Sequence, residues 1–218
     1  MEISHPFLRI MGSMLSLIYL VGLAIAIFVS TNVDGLFVLL GFFSDAKYRS
    51  FQVVAGQYIG NALLFAVSAL AALATIAVPV DEVGWLGLIP IAIGCKKLYD
   101  LKSRPEINKN VAESRANSRG MRQIVAVAGV CIANGGDNIG VWTPQFAVHS
   151  GSEILVIGIV FVMMTGIWCL IAQRILEHPS LRTPIRVYGH RVVPFVLILL
   201  GVLTMRDGGI FKLLYSKF

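Results

Sequence analysis

Long apolar runs separated by short polar connections dominate the chain, recurring at roughly residues 13–43, 52–80, 83–98, 123–148, 153–174 and 187–205. Ser50 to Val80 carries no charged residue, and neither does Ile154 to Gln173. A helix needs about 20 apolar residues to cross a hydrocarbon layer ~30 Å thick. Only helices and closed barrels satisfy their backbone groups in lipid, so runs of this length predict six transmembrane helices. The first run reads as a span and not as a signal peptide, because no small-residue cleavage site precedes Ser30 and the run resumes after Asp34.

Composition agrees with this pattern and narrows the function classes. Of the 218 residues 56% are hydrophobic and 14% charged, with a mean hydropathy of +0.78, whereas soluble domains carry about 25% charged residues. That excludes a disulfide-stapled secreted domain, a disordered regulator and a soluble nucleotide-binding enzyme. The net charge of +6 is then an orientation signal and not a nucleic-acid footprint. Fourteen of the 18 basic residues fall in connections one, three and five, among them Lys47, Arg49, Lys96, Lys97, Arg122 and Arg174. Arg9, Arg206, Lys212 and Lys217 lie on the other side, so both termini are expected outside the cytoplasm.

The spans divide into related halves. Residues 1–98 form a first three-helix repeat, 99–122 a cytoplasmic linker, 123–205 a second repeat, and 206–218 an interfacial tail with Lys212 and Lys217 among Ile210, Phe211, Leu214 and Phe218. Each half reads as a long helix broken near an Asp-Gly pairing, an unbroken helix, and a short helix interrupted by Pro90 or Pro194. Three spans per half insert the second repeat upside down, as in transporters whose substrate site lies between matching broken helices. The predicted fold class is therefore an all-α integral membrane protein of six helices in two inverted repeats with broken first helices.

Ten of the twelve acidic residues sit at span ends or in connections; Asp34 and Asp137 do not. A charge at the bilayer centre costs at least about 2.5–3.5 kcal/mol on insertion scales, so each is a functional candidate. The alternative is an Asp that caps a helix broken by glycine. Both lie beside amides and glycines, in Thr31-Asn32-Val33-Asp34-Gly35 and Asn134-Gly135-Gly136-Asp137-Asn138. Asn32, Asn134, Asn138 and Thr31 add oxygens, and Gly35, Gly135 and Gly136 are expected to unwind the backbone and turn carbonyls inward. Two carboxylates, several neutral oxygens and no fixed cation suit a divalent metal ion as substrate. The same pair can hold protons instead, which makes protons the expected coupling ion.

Along the second span Gln57, Asn61, Ser68 and Thr75 fall within about 40° of one another on a helical wheel. This stripe either lines a path or bonds to neighbouring helices; Gln57 and Asn61 are its better lining candidates. Cys95, Cys131 and Cys169 read as small buried hydrophobes, except that Cys131, three residues before Asn134, offers a thiol to a soft metal. His5, His149, His178 and His190 fall outside the hydrocarbon. No deep histidine or HExxH pair supports an intramembrane metalloenzyme, and no Gly-Lys-Ser nucleotide loop supports ATP-driven transport. The protein is thus expected to be a transporter without cofactor, in contact with the lipid bilayer and a metal ion, as a monomer or homo-oligomer.

Six segments, Thr31–Leu40, Gly56–Gly60, Leu86–Ile91, Ala133–Gly140, Met164–Cys169 and Gly189–Phe195, resemble the cadmium resistance transporter family of the lysine exporter superfamily. The likeness touches every span but not the linker, and Asn134-Gly135-Gly136-Asp137-Asn138 is its most telling part. It implies a multi-pass exporter of cadmium in a bacterial inner membrane. Neighbouring families move manganese, calcium or basic amino acids, so another divalent cation such as Mn, Zn or Ca, or a small cationic solute, is the alternative substrate. Asp34 and Asp137 match the family's acidic positions. Gly35 departs from it, standing where a second acidic residue is expected.

Overall fold

The computed structural model describes residues 4–75, 84–100, 120–177 and 182–207, and no strand occurs among them. Seven helices result: α1 Ser4–Ser44, α2 Ser50–Ala74, α3 Leu88–Asp100, α4 Met121–Asn134, α5 Gly136–Val148, α6 Gly151–Glu177 and α7 Arg182–Asp207. A 3-10 turn, Gly84–Gly87, leads into α3. Three helices, α1, α2 and α6, are long and apolar enough to cross a membrane. The pair α4 and α5, bent by 67° at Gly135, makes a fourth span if counted as one. Apolar stretches Trp85–Lys96 and Pro194–Arg206 are shorter. Most of the linker expected at 99–122 and of the tail expected at 206–218 lies outside the described residues.

The expectation of two broken first helices holds for only one of them. Helix α1 runs unbroken through Gly35, whose missing Cβ faces open space and so answers to no close neighbour. A lone glycine costs a helix only about 1 kcal/mol. Just before it, Ser30, Thr31 and Asn32 bond back to the carbonyls of Ile27 and Phe28, leaving those side chains satisfied inside an intact helix. At Gly135 the situation differs, because Leu64 of α2 occupies the space a Cβ would need. Gly135 N–H turns back to the Ile132 carbonyl at 3.0 Å, and α5 starts afresh at Gly136 with Asp137 in its first turn, where the helix dipole favours an anion. Gly136 thus opens a helix and unwinds nothing beyond the one-residue break.

The prolines do not interrupt their helices either. Pro90 sits in the first turn of α3, where its missing N–H costs nothing. Pro194 lies inside α7, which continues past it.

Contacts between the helices before residue 101 and those after residue 119 show a correspondence. With α4 and α5 taken together as the counterpart of α1, the pairing of α1 with α6 corresponds to that of α2 with α4 and α5. The pairing of α1 with α7 likewise corresponds to that of α3 with α5, whereas α2–α6 and α3–α7 map onto themselves. The self-paired helices run antiparallel: Gly166 and Gly158 of α6 lie against Tyr58 and Phe65 of α2, and Gly87 of the 3-10 turn and Gly94 of α3 lie against Gly201 and Pro194 of α7. By contrast α2 and α4 run parallel, with Gly56 on Val127 and Gly60 on Cys131. Small residues permit this approach, since a membrane gives helices no hydrophobic reason to associate and packing must supply it.

Candidate functional site

A small, partly open cavity lies where α1, α2 and the α4–α5 break meet. Thr31, Asn32, Gly35 and Val38 of α1 line it, with Gln57 of α2, Cys131 and Asn134 of α4, and Asn138 of α5. Cys131 and Asn134 belong to the last turn of α4, whose carbonyl end favours a cation, and Asn138 belongs to the first turn of α5, whose N–H end favours an anion and already carries Asp137. The lining includes neither lysine nor arginine.

The two carboxylates flank this lining without being part of it. Asp34 follows Thr31 by three residues and precedes Val38 by four, so it shares their face of α1 and is half-buried. Asp137 stands between the break and Asn138, and its Oδ1 accepts the Asn138 N–H at 3.1 Å. Asn138 is 3% exposed, and its Oδ1 is buried with no hydrogen-bond partner. A buried amide oxygen without a donor costs free energy unless water or a cation supplies the missing contact. Among the described residues no three His, Cys, Asp or Glu side chains gather as a metal-holding group. The donors here are mostly neutral oxygens, the kind of set that suits weak, reversible cation binding.

The stripe on α2 faces inward and divides its roles. Gln57 lines the cavity. Asn61 instead bonds across helices, its Nδ2 donating to Thr165 Oγ1 at 2.9 Å while its Oδ1 faces Cys131 Sγ at 3.5 Å. Ser68 is fully buried without a partner, and Thr75 closes α2 by donating to the Ala72 carbonyl.

On the Phe28 side of the lining residues of α1, aromatic rings pack edge-on or tilted into an aromatic plug. Phe161 packs against Phe28 at 5.5 Å, Trp142 at 4.7 Å and Phe65 at 6.0 Å, and Trp168 meets Phe28 edge-on at 5.9 Å. The indole N–H of Trp142 donates to Thr31 Oγ1 at 3.2 Å, and that of Trp168 to the Asn32 carbonyl at 2.8 Å. The aromatic plug is thereby bonded to two residues that line the cavity. Sequence reasoning missed both tryptophans. Their position was the available signal, since membrane tryptophans gather at interfaces and these lie mid-helix.

At the opposite end the turn between α1 and α2 is held by Tyr48, edge-on to Phe42 at 4.9 Å. Burial, and then the Asp45 carboxylate, push its phenol above the usual value, so it stays neutral. Gln123 near the start of α4 donates to the Lys47 carbonyl, tying this turn to α4.

No curated protein and no solved structure gave a match. One family model does match, described as cadmium resistance transporter, over residues 28–217, a stretch that contains the whole cavity wall, both flanking aspartates and the aromatic plug. The match covers most of the chain: the protein belongs to the cadmium resistance transporter family, whose members are membrane transporters acting in metal efflux.

Proposed function

We propose that the cavity is the station at which a divalent cation, Cd²⁺ foremost, pauses during export, with Asp34 and Asp137 supplying charge and Thr31, Asn32, Asn134 and Asn138 supplying oxygens. The observation that carries this reading is Asn138, whose Oδ1 is buried and partnerless, lining a cavity flanked by the two intramembrane aspartates. A cationic amino acid would need its carboxylate held at the start of α5, since no lysine or arginine lines the cavity, and Asp137 already occupies that first turn, which makes it the poorer occupant.

The architecture proposed is six spans in two inverted repeats, divided at the linker. Antiparallel α2–α6 and α3–α7 contacts, and pairings that interchange when the halves are swapped, support it. Rocking one repeat against the other then exposes the cavity to alternate sides. The aromatic plug is the barrier toward the Phe28 end. Lys47 and Arg49 precede α2, Arg122 opens the parallel α4, and Arg174 closes the antiparallel α6, so these charges share one end of the bundle. Positive-inside makes that end cytoplasmic, in a bacterial inner membrane, with the plug outward and both termini outside. A single cysteine at Ser114, in a background lacking the native three, should resist an impermeant thiol reagent in whole cells and react after lysis. Labelling in intact cells reverses the orientation.

Transport in this reading is proton-coupled antiport, since a pair of carboxylates can alternate between protons and one divalent ion. In proteoliposomes with an internal pH dye, Cd²⁺ movement should drive opposite proton movement, and apparent affinity should fall as pH drops because protons compete for the same oxygens. Calorimetric titration with Cd²⁺, Zn²⁺, Mn²⁺ and lysine tests the site itself. Lysine binding with no metal binding refutes the cation reading, and flux that follows membrane potential without a proton signal refutes the coupling.

A further inference from the structure

We infer that Cys131 is the residue that makes this cavity prefer soft, thiophilic divalent cations to hard ones; the inference rests on reading the cavity as the ion station. Cys131 lines the cavity from the last turn of α4, one turn ahead of the Gly135 break. Its sulfur is held in place from two directions. A Cβ on Gly60 would stand 2.6 Å from Cys131 Cβ and 2.7 Å from Sγ, so only glycine at 60 leaves room for the thiol between α2 and α4. On the other side Asn61 Oδ1 faces Sγ at 3.5 Å, and the Asn61 amide is itself fixed by Thr165, whose hydroxyl donates to the Phe161 carbonyl at 2.8 Å. A thiol is a weak donor, so giving up this contact to bind a metal sacrifices little.

The second observation comes from across the break. Asn138, whose Oδ1 is buried and without a donor, lines the same cavity. Sulfur from the end of α4 and oxygen from the start of α5 therefore offer one ion a mixed donor pair. Hard cations such as Mn²⁺ and Ca²⁺ gain only from the oxygens, whereas Cd²⁺ gains from both. Coordination exchanges the S–H bond for an S–metal bond and the proton passes to water; no electrons are transferred. The other cysteines do not compete, since Cys169 is buried within α6 and Cys95 is exposed on α3, and neither lines the cavity.

The test uses the full-length protein with Cys95→Ser and Cys169→Ala, titrated with Cd²⁺ and with Mn²⁺ while heat and near-ultraviolet absorption are recorded together. Cadmium should raise a sulfur-to-metal charge-transfer absorption that saturates with the heat. Adding Cys131→Ser should abolish the band and weaken Cd²⁺ binding roughly 10-fold or more, since even loss of an outer partner of a metal ligand costs about 10–100-fold. Binding of Mn²⁺ should be little changed. Cadmium binding with no sulfur band overturns the inference while leaving the cavity as the ion site, and this readout needs no substitution at 131. Equal losses for both metals in Cys131→Ser mark a packing role and overturn it too. A protein that binds neither metal overturns the reading of the cavity itself.

Discussion

Asp34→Asn and Asp137→Asn should each abolish metal transport in proteoliposomes while the protein still inserts, folds and purifies. Asparagine keeps the shape of the side chain and removes the charge. At position 137 it also keeps an Oδ1 to accept the Asn138 N–H, so α5 retains its start. Each carboxylate flanks a wall whose other donors are neutral amides, a hydroxyl and a thiol, and no third acidic side chain joins a metal-holding group among the described residues. Losing one of two opposing charges around a buried ion costs about 3–5 kcal/mol, which is more than a hundredfold in affinity at 1.4 kcal/mol per decade. Glu153→Gln is the control. Glu153 caps α6 by accepting from the Ser150 amide at 2.8 Å and its hydroxyl at 2.7 Å, far along the chain from the cavity wall, and glutamine keeps an acceptor there. Wild-type rates in either aspartate variant would remove that residue from the site, and loss of transport in the control would leave the comparison without force.

How much of this could be read from the sequence depends on whether a residue acts through its own chemistry or through its neighbour's. Asp34 and Asp137 stood out because a charge inside an apolar run is expensive wherever the run folds. Asn32, Asn134, Asn138 and Thr31 followed from adjacency, and the cavity does gather all four with Gln57 and Cys131. Periodicity also put the α2 stripe on one inward face, although it could not say that Asn61 would turn to Thr165 and Gln57 to the cavity. Gly135 breaks its helix as expected, but Gly35 was misjudged because a break is decided from outside. Gly35 and Gly135 look alike in sequence, yet only Gly135 has a leucine from another helix where a side chain would go. Trp142 and Trp168 were missed for the same reason, since their partners on α1 lie more than a hundred positions away. A buried Gln145, bonded to Thr204 and to the Leu200 carbonyl, escaped notice likewise.

That dependence on neighbours gives Gly56 and Gly60 a second large effect. Gly56→Ala and Gly60→Ala should each destabilise the protein by about 1–3 kcal/mol, the usual cost of overpacking a tight contact, and should impair transport as well. A Cβ at position 56 would stand 2.7 Å from the Ile124 carbonyl oxygen and 2.6 Å from Val127 Cβ, so backbone has to move and no flexible side chain can yield. At position 60 the clash falls on Cys131, with the Ala128 carbonyl 3.3 Å away. Either strain pushes α4 off α2, and α4 carries two lining residues, Cys131 and Asn134, at its end. The loss of stability and the loss of ion binding should therefore appear together. Gly129→Ala is the internal comparison: Gly129 lies on the same α4, is exposed, and has nothing within 4 Å of its would-be Cβ. Alanine there is favoured over glycine in a helix by about 1 kcal/mol, so it should be neutral or slightly stabilising. Thermal unfolding in detergent, read beside Cd²⁺ titration of the same samples, checks all three. Unfolding temperatures for Gly56→Ala and Gly60→Ala that match the parent would mean that α2 and α4 do not meet at these glycines, and the wall built on that contact would have to be redrawn.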